Sequence, residues 1–172
     1  HSAYCLLALL SGNAKNQLKE LLQSLQEELG ERAYIMPKDT LQITLCVIIQ
    51  SKEYQENKEL LYSRNAPIYE NSTEQVLSQF SPVDVVCDEI VVSPQAIIIK
   101  GRDNGSFKEI RKQLVEDLPL PAETKQPPAI IHSTIARFLV EMPLDEVRNI
   151  TKQYTIKLNE TVSGFSLIHS NV

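Results

Sequence analysis

The chain has 172 residues, of which 42% are hydrophobic, and this is enough to bury a core in one compact domain or in two small lobes. Its formal net charge of -5 argues against non-specific binding to duplex DNA, but it is compatible with a small nucleotide or an RNA end as ligand. No apolar run approaches the ~20 residues of a membrane-spanning helix, so we expect a soluble, cytoplasmic monomer with no membrane partner.

The first part of the chain predicts a strand, a helix and a second strand. The apolar run over residues 4–10 ends at a Ser-Gly-Asn sequence, which suits a buried strand followed by a helix N-cap. Leucines then recur at helical spacing over residues 18–29, and Gly30 is a helix stop signal. The run over residues 41–49 is rich in β-branched side chains, and strict alternation would place three residues on one face: Gln42, Thr44 and Cys46.

The stretch over residues 51–80 is polar with scattered apolar residues. We predict two surface helices there, over residues 53–62 and 73–80, separated by a loop at Asn65-Ala-Pro67. The elements predicted after that stretch are strands over 83–92 and 95–100 joined as a hairpin, a helix over 106–118, a Pro-rich loop over 119–128, a strand over 129–140, a helix over 144–154 and a closing strand over 161–168 that Gly164 interrupts. Strands and helices in these two sets favour an α+β arrangement.

The predicted strand over residues 129–140 contains the first histidine that could carry chemistry. Strict alternation places His132 and Thr134 on one face, together with Ala136 and Phe138. By the same alternation Arg137 lies on the opposite face, where we expect a structural ion pair rather than a phosphate contact.

Two segments about half a chain apart repeat one pattern. In each, a proline precedes a Gln or His by five residues, and a threonine follows two residues later. The members of the two copies are Pro37, Gln42 and Thr44, and Pro127, His132 and Thr134. Such a repeat predicts duplicated lobes that face each other.

The second copy, His132-Ser-Thr134-Ile, resembles the His-x-Thr/Ser-x motif that occurs twice in the two-histidine phosphoesterases, the superfamily of LigT-like RNA 2'-5' ligases and cyclic phosphodiesterases. The first copy, Gln42-Ile-Thr44-Leu, departs from that motif at its histidine. The resemblance covers most of the chain. It implies an α+β fold of two pseudo-symmetric lobes, each a mainly antiparallel sheet with flanking helices, around a central cleft in one domain over residues 1–172.

The resemblance also implies roles for the motif residues. His132 would transfer protons as general acid or base, while Thr44 and Thr134 would hold the phosphate oxygens. Elementary chemistry agrees, because imidazole titrates near neutrality and a hydroxyl is a neutral hydrogen-bond donor. The implied ligand is a nucleotide or RNA 3'-end with a cyclic phosphate or a 2'-5' linkage. No nucleotide-binding loop or Cys/His metal cluster is present in the sequence, so we expect a mechanism without metal or cofactor.

Gln42 changes this chemistry, because an amide can donate a hydrogen bond to phosphate but cannot exchange protons near pH 7. Loss of one general acid or base typically lowers the rate about 10²- to 10⁴-fold. The alternatives are therefore a slow enzyme, an enzyme that recruits another group, and a binding module without turnover. A domain that kept only the fold, and a glutamine introduced by design to trap a ligand, also fit the sequence.

The remaining candidates each have an ordinary structural alternative. Tyr4 could stack a base at the mouth of the cleft, or it could be a core tyrosine. His169 could border the cleft if the last strand runs beside the motif strands, or it could be a surface residue. Three cysteines lie in apolar runs without CxxC spacing and predict buried free thiols: Cys5, Cys46 and Cys87.

Overall fold

The structure is a computed structural model that describes residues 2–49, 58–121, 124 and 126–171. Apolar residues that recur with a period of two form strands, and those that recur with a period of 3.6 form helices. The elements of this part of the chain are β1 (Ser2–Leu9), α1 (Gly12–Gln17), α2 (Lys19–Leu29), β2 (Ala33–Ile35), β3 (Gln42–Ile49), α3 (Lys58–Leu77), β4 (Val83–Val92), β5 (Ala96–Arg102), α4 (Ser106–Asp117), β6 (Ile131–Phe138), α5 (Leu144–Thr151), β7 (Leu158–Val162) and β8 (Ser166–Asn171). Every helix in these ranges is too short or too polar to span a bilayer.

The strands form two antiparallel sheets, one in each lobe. The first sheet has three strands in the order β3-β1-β8, and the second has five in the order β2-β6-β5-β4-β7. The predicted α+β fold of two lobes is therefore confirmed. The lobes are not successive halves of the chain, because β2 joins the second sheet and β8 returns to the first.

A buried carboxylate links the two lobes. Glu160 on β7 is 6% exposed, and its two oxygens accept hydrogen bonds from the amide N and the Oγ of Ser11, each at 2.7 Å. Ser11 is also the N-cap of α1, where its Oγ accepts from the amide of Ala14. The start of the first helix is thus tied to an edge strand of the other sheet.

The helix α3 replaces two predicted helices. It continues through Pro67, where we predicted a loop, and residues 53–57 of the first predicted helix lie outside the described residues. The ring of Pro67 is exposed, whereas Tyr69, Thr73 and Val76 on another face of the helix are buried against the core. Burial of that face after the proline explains why the helix continues despite the lost backbone hydrogen bond.

The predicted closing strand is two strands in different sheets, and β2 was not predicted at all. The buried side chains of β7 alternate as Leu158, Glu160 and Val162. Because Glu160 carries a carboxylate, it interrupts the apolar alternation by which a strand is predicted from the sequence.

The predicted free, buried cysteines are confirmed. Burial raises the pKa of their thiols to about 11 for Cys5 and Cys87 and to about 12 for Cys46.

Candidate functional site

A bulge at Leu45 decides which side chains of β3 leave the core. Thr44 and Cys46 pair with consecutive residues of β1, so Leu45 has no partner of its own. Leu45 and Cys46 are consequently both buried in the main core, and Val47 takes the face that Gln42 and Thr44 share. The prediction that Cys46 shares this face is wrong, because a bulge shifts the alternation by one residue.

Strand β6 has the same irregularity at Ile135. Thr134 and Ala136 pair with consecutive residues of β5, and Ile135 lies between them without a partner. Ile135 and Ala136 are both fully buried, and the exposed Arg137 is brought to the face of His132 and Thr134.

Two predictions about this strand are therefore wrong. Ala136 and Phe138 contact the core instead of sharing the face of the histidine, and Arg137 is on that face instead of the opposite one. No carboxylate of the described residues lies within salt-bridge distance of Arg137, so the expected ion pair is also absent from this part of the chain. The cross-strand neighbour of Arg137 is Tyr34 of β2, which is 50% exposed.

The two bulges occupy equivalent positions in the repeated pattern. Each follows the motif threonine by one residue, at Leu45 in β3 and at Ile135 in β6. The repeat seen in the sequence thus extends to the backbone geometry, and both motif strands turn the same pair of positions away from the core.

A single arginine of α4 connects the two motif strands. Arg111 donates from Nη2 to the carbonyl oxygen of Thr44 at 2.9 Å and from Nε to that of Leu45 at 3.0 Å. Its Nη1 donates to the carbonyl oxygen of Ile130, immediately before β6, at 3.2 Å. Arg111 therefore connects strands of two different sheets next to the motif residues.

The imidazole of His132 is half-buried, and its Nδ1 is enclosed without a hydrogen-bond partner among the described residues. Burial lowers the pKa of His132, the nearby Ile130 carbonyl raises it in part, and the positive charges of Arg111 and Arg137 lower it further. The residue directly across on β5 is Lys100, whose Nζ lies 2.9 Å from a carboxylate oxygen of Glu89. His132 is therefore mainly neutral at pH 7 and able to accept a proton.

The other three motif residues are accessible polar groups. The side chains of Gln42, Thr44 and Thr134 are half-buried, and none of them has a hydrogen-bond partner among the described residues. Their amide and hydroxyl groups are consequently available to a ligand. In the same part of the chain, no three His, Cys, Asp or Glu side chains cluster in a way that could hold a metal ion.

Comparison with known proteins gives the fold a precedent. The sequence matches no family model and no curated protein. Among solved structures, the MHV ns2 PDE domain has a TM-score of 0.62 and 16% sequence identity, with 99% of this chain and 100% of that chain covered. The chain has the fold of this PDE domain. TT0787 of Thermus thermophilus is similar as well, with a TM-score of 0.61, 13% identity, and 98% and 95% of the two chains covered.

The structure places Tyr4 and His169 away from the motif residues. Tyr4 is 7% exposed, and its ring is stacked on Tyr62 at 4.0 Å and on His169 at 4.5 Å between centroids. It packs in the main core, whereas its neighbour Cys5 faces the cluster that contains Val47. The expected base-stacking role of Tyr4 has no support in this placement, because both faces of its ring are covered and it points away from the face of Thr44.

Sequence reasoning missed the contribution of Arg111. The buried face of α4 consists of Phe107, Ile110, Arg111 and Leu114, so a cation occupies a position that the helical period reserves for apolar residues. A charged residue on the predicted apolar face of this helix was the feature of the sequence that could have indicated a special role for Arg111.

Proposed function

We propose that the protein binds the phosphate of an RNA-derived nucleotide, with a 2',3'-cyclic phosphate or a 2'-5' linkage, between the two motif strands. It would act as a phosphodiesterase-like protein whose proton transfer is impaired by Gln42. The observation that carries this proposal is the repeated geometry of the two motif strands. Gln42 and Thr44 on β3, and His132 and Thr134 on β6, lie on the half-buried face of their strand, and a bulge follows each threonine. The fold of a PDE domain supports the reaction class.

The proposed chemistry is a displacement at phosphorus. Water attacks the phosphorus, one ribose oxygen leaves, and the two threonine hydroxyls donate hydrogen bonds to the non-bridging oxygens. His132 either removes the proton of the attacking water or returns one to the leaving oxygen. A second group must complete the proton transfer, and the amide of Gln42 can only donate a hydrogen bond.

Arg137 adds a positive charge to the proposed phosphate site. It is exposed on the face of His132 and has no carboxylate partner among the described residues. A guanidinium can bind two phosphate oxygens at once through charge-assisted hydrogen bonds. We therefore include Arg137 among the contacts, with Gln42, Thr44, His132 and Thr134.

Gln42→His should increase turnover of 2',3'-cyclic nucleotides, because it supplies the second proton-transfer group. We expect a gain on the order of 10² in kcat/KM and a bell-shaped pH profile. The assay should include an RNA with a cyclic phosphate end and 2'-5' oligoadenylate. The same substitution at an exposed site on α3, Gln75→His, is the matched control.

His132→Ala in the Gln42→His background should abolish the gain, because acid and base act as a pair. A folded Gln42→His protein that leaves every substrate unchanged would contradict the impaired-enzyme proposal.

A second candidate is a binding module without turnover, which the amide at position 42 specifically favours. Calorimetric titration with adenosine 3'-monophosphate separates this candidate from a domain that kept only the fold. If the protein is a binding module, it should bind adenosine 3'-monophosphate, and Thr44→Val and Thr134→Val should each weaken this binding. The Gln42→His protein should then show no turnover.

A further inference from the structure

We propose that Arg111 is the positioning residue of this site: its buried guanidinium, hydrogen-bonded to carbonyl groups of both motif strands, sets the distance between the Gln42–Thr44 pair and the His132–Thr134 pair. The identity of the ligand in this inference rests on the proposed function. The inference itself rests on the contacts of one side chain.

Burial of the Arg111 charge has a cost in free energy. Arg111 is 6% exposed, and no carboxylate of the described residues lies within salt-bridge distance of it. A buried cation with no carboxylate in contact is expensive, and the more distant carboxylate of Asp103 offsets only part of the cost. An apolar residue at this position of α4 would pack without that cost. The guanidinium is stabilised by three carbonyl oxygens and by the ring of Phe107, at 5.4 Å from its centroid.

The guanidinium of Arg111 fits the bulge of β3. Successive carbonyl groups of a regular strand point in opposite directions, so one side chain cannot reach two of them. At Leu45 the bulge breaks this rule, and Nη2 and Nε of Arg111 bind the adjacent carbonyls of Thr44 and Leu45. The equivalent bulge in β6 is held differently, since the carbonyl oxygen of Ile135 accepts from the main-chain amide of Met36 at 2.9 Å.

Arg111 also contacts the chain next to the second motif strand. Ile130 comes two residues before His132, and its carbonyl oxygen both accepts from Nη1 of Arg111 and lies near the imidazole. Hydrogen bonds between neighbouring strands cannot hold β3 against β6, because these strands belong to different sheets. A planar fork with five donors can bridge them, whereas the single ammonium of a lysine cannot reproduce its geometry.

The experiment compares two substitutions of Arg111 with a control on the same helix. Arg111→Lys keeps the charge but removes the fork, and Arg111→Met removes both. Lys112→Met removes one positive charge at the adjacent, exposed position. The first measurement is calorimetric titration with inorganic phosphate and with adenosine 3'-monophosphate. We expect the Kd to rise about tenfold or more for both Arg111 variants, because small displacements of binding groups are costly, and to stay within about twofold for Lys112→Met.

The second measurement is an NMR titration of the His132 imidazole, which tests whether the charge of Arg111 acts on this side chain. The charged groups that face His132 are Arg111 from α4, Arg137 from its own strand and Lys100 from β5, the last paired with Glu89. Arg111→Met should raise the pKa of His132, because a neighbouring positive charge is lost, and Arg111→Lys should change it less. Lys112→Met should leave it unchanged.

The inference is overturned if folded Arg111→Lys and Arg111→Met bind both probes as the wild type does. If the wild type binds neither probe, the proposed function fails, and the NMR spectra still decide the role of Arg111. In that case Arg111→Lys must shift the resonances of both Thr44 and Thr134, whereas Lys112→Met must leave both unchanged. If no Arg111 variant folds, hydrogen exchange of the Arg111 Nε–H is measured in the wild type. Exchange as fast as that of an exposed arginine would show that the hydrogen bond to the carbonyl of Leu45 does not hold, and it would overturn the inference.

Discussion

The two halves of the candidate site differ in the one group that would transfer a proton. His132 carries an imidazole whose pKa is lowered by burial and by neighbouring arginines, so it is ready to accept a proton at pH 7. Position 42 carries an amide with no ionisable proton near that pH. The hydroxyl groups of Thr44 and Thr134 are alike in both halves, so we expect the proposed phosphate binding to depend less on position 42 than the proposed turnover.

His132 should make the folded protein less stable as the pH falls below about 6.5, the ordinary pKa of an unfolded histidine. In the folded protein burial lowers this pKa, so the unfolded chain takes up its proton first. The free energy of unfolding therefore falls between the two pKa values and then levels off. Urea denaturation of the wild type and of His132→Gln, between about pH 7.5 and pH 5, measures the effect as the difference between the two curves. Parallel curves would contradict it.

At the scale of elements, α3 contains a proline inside a helix of 20 residues. Pro67 has no amide hydrogen to donate to the carbonyl of Ser63, and its ring crowds that carbonyl. The helix tolerates this defect because the face that contains Tyr69 and Val76 is buried.

Pro67→Ala should therefore stabilise the protein by about 2 kcal/mol, which is the helix penalty of proline less the entropy that alanine adds to the unfolded chain. The midpoint of urea denaturation measures the gain. Gln75→Ala, at an exposed site of the same helix, gains no hydrogen bond and serves as the control. An unchanged or lower midpoint for Pro67→Ala would show that the helix is adapted to its proline.

The elements also explain how much of the site was predictable from the sequence. Alternation placed Gln42 with Thr44, and His132 with Thr134, on one face of each strand as the structure has them, because each pair lies before the bulge of its strand. Their role in a site stays a prediction. Alternation failed one residue later, where Leu45 and Ile135 are apolar and carry no sign that they lack a partner. The face of Arg137 was therefore unpredictable from alternation.

At the scale of the whole molecule, the two lobes share strands and side-chain contacts. The chain enters the second sheet at β2, returns for β3 and ends again in the first sheet at β8. Arg111 and the Ser11–Glu160 hydrogen bonds connect the lobes at separate points. The first sheet therefore contains strands from both ends of the chain, and the second sheet consists of strands from the part between them.

This interleaving predicts that the lobes unfold in one transition. Far-UV circular dichroism and tyrosine fluorescence should give the same urea midpoint. Glu160→Ala should lower the midpoints of both transitions together. We expect the free energy of unfolding to fall by about 1–3 kcal/mol, because the buried carboxylate that accepts two hydrogen bonds from Ser11 is lost. Glu89→Ala, which removes an exposed ion pair, should change stability by about 1 kcal/mol or less. Two separate midpoints would show independent lobes.

The pairing of β1 with β8 has a consequence for protein engineering. Ser2 is the partner of Asn171, and paired residues of antiparallel strands have Cα atoms about 4.5–5.5 Å apart. A polypeptide that continues from both residues leaves this domain at one place on its surface, so the domain can be inserted into a tight loop of a host protein without stretching it. A ligand that stabilises the inserted domain would then also stabilise the host fold through the two short linkers.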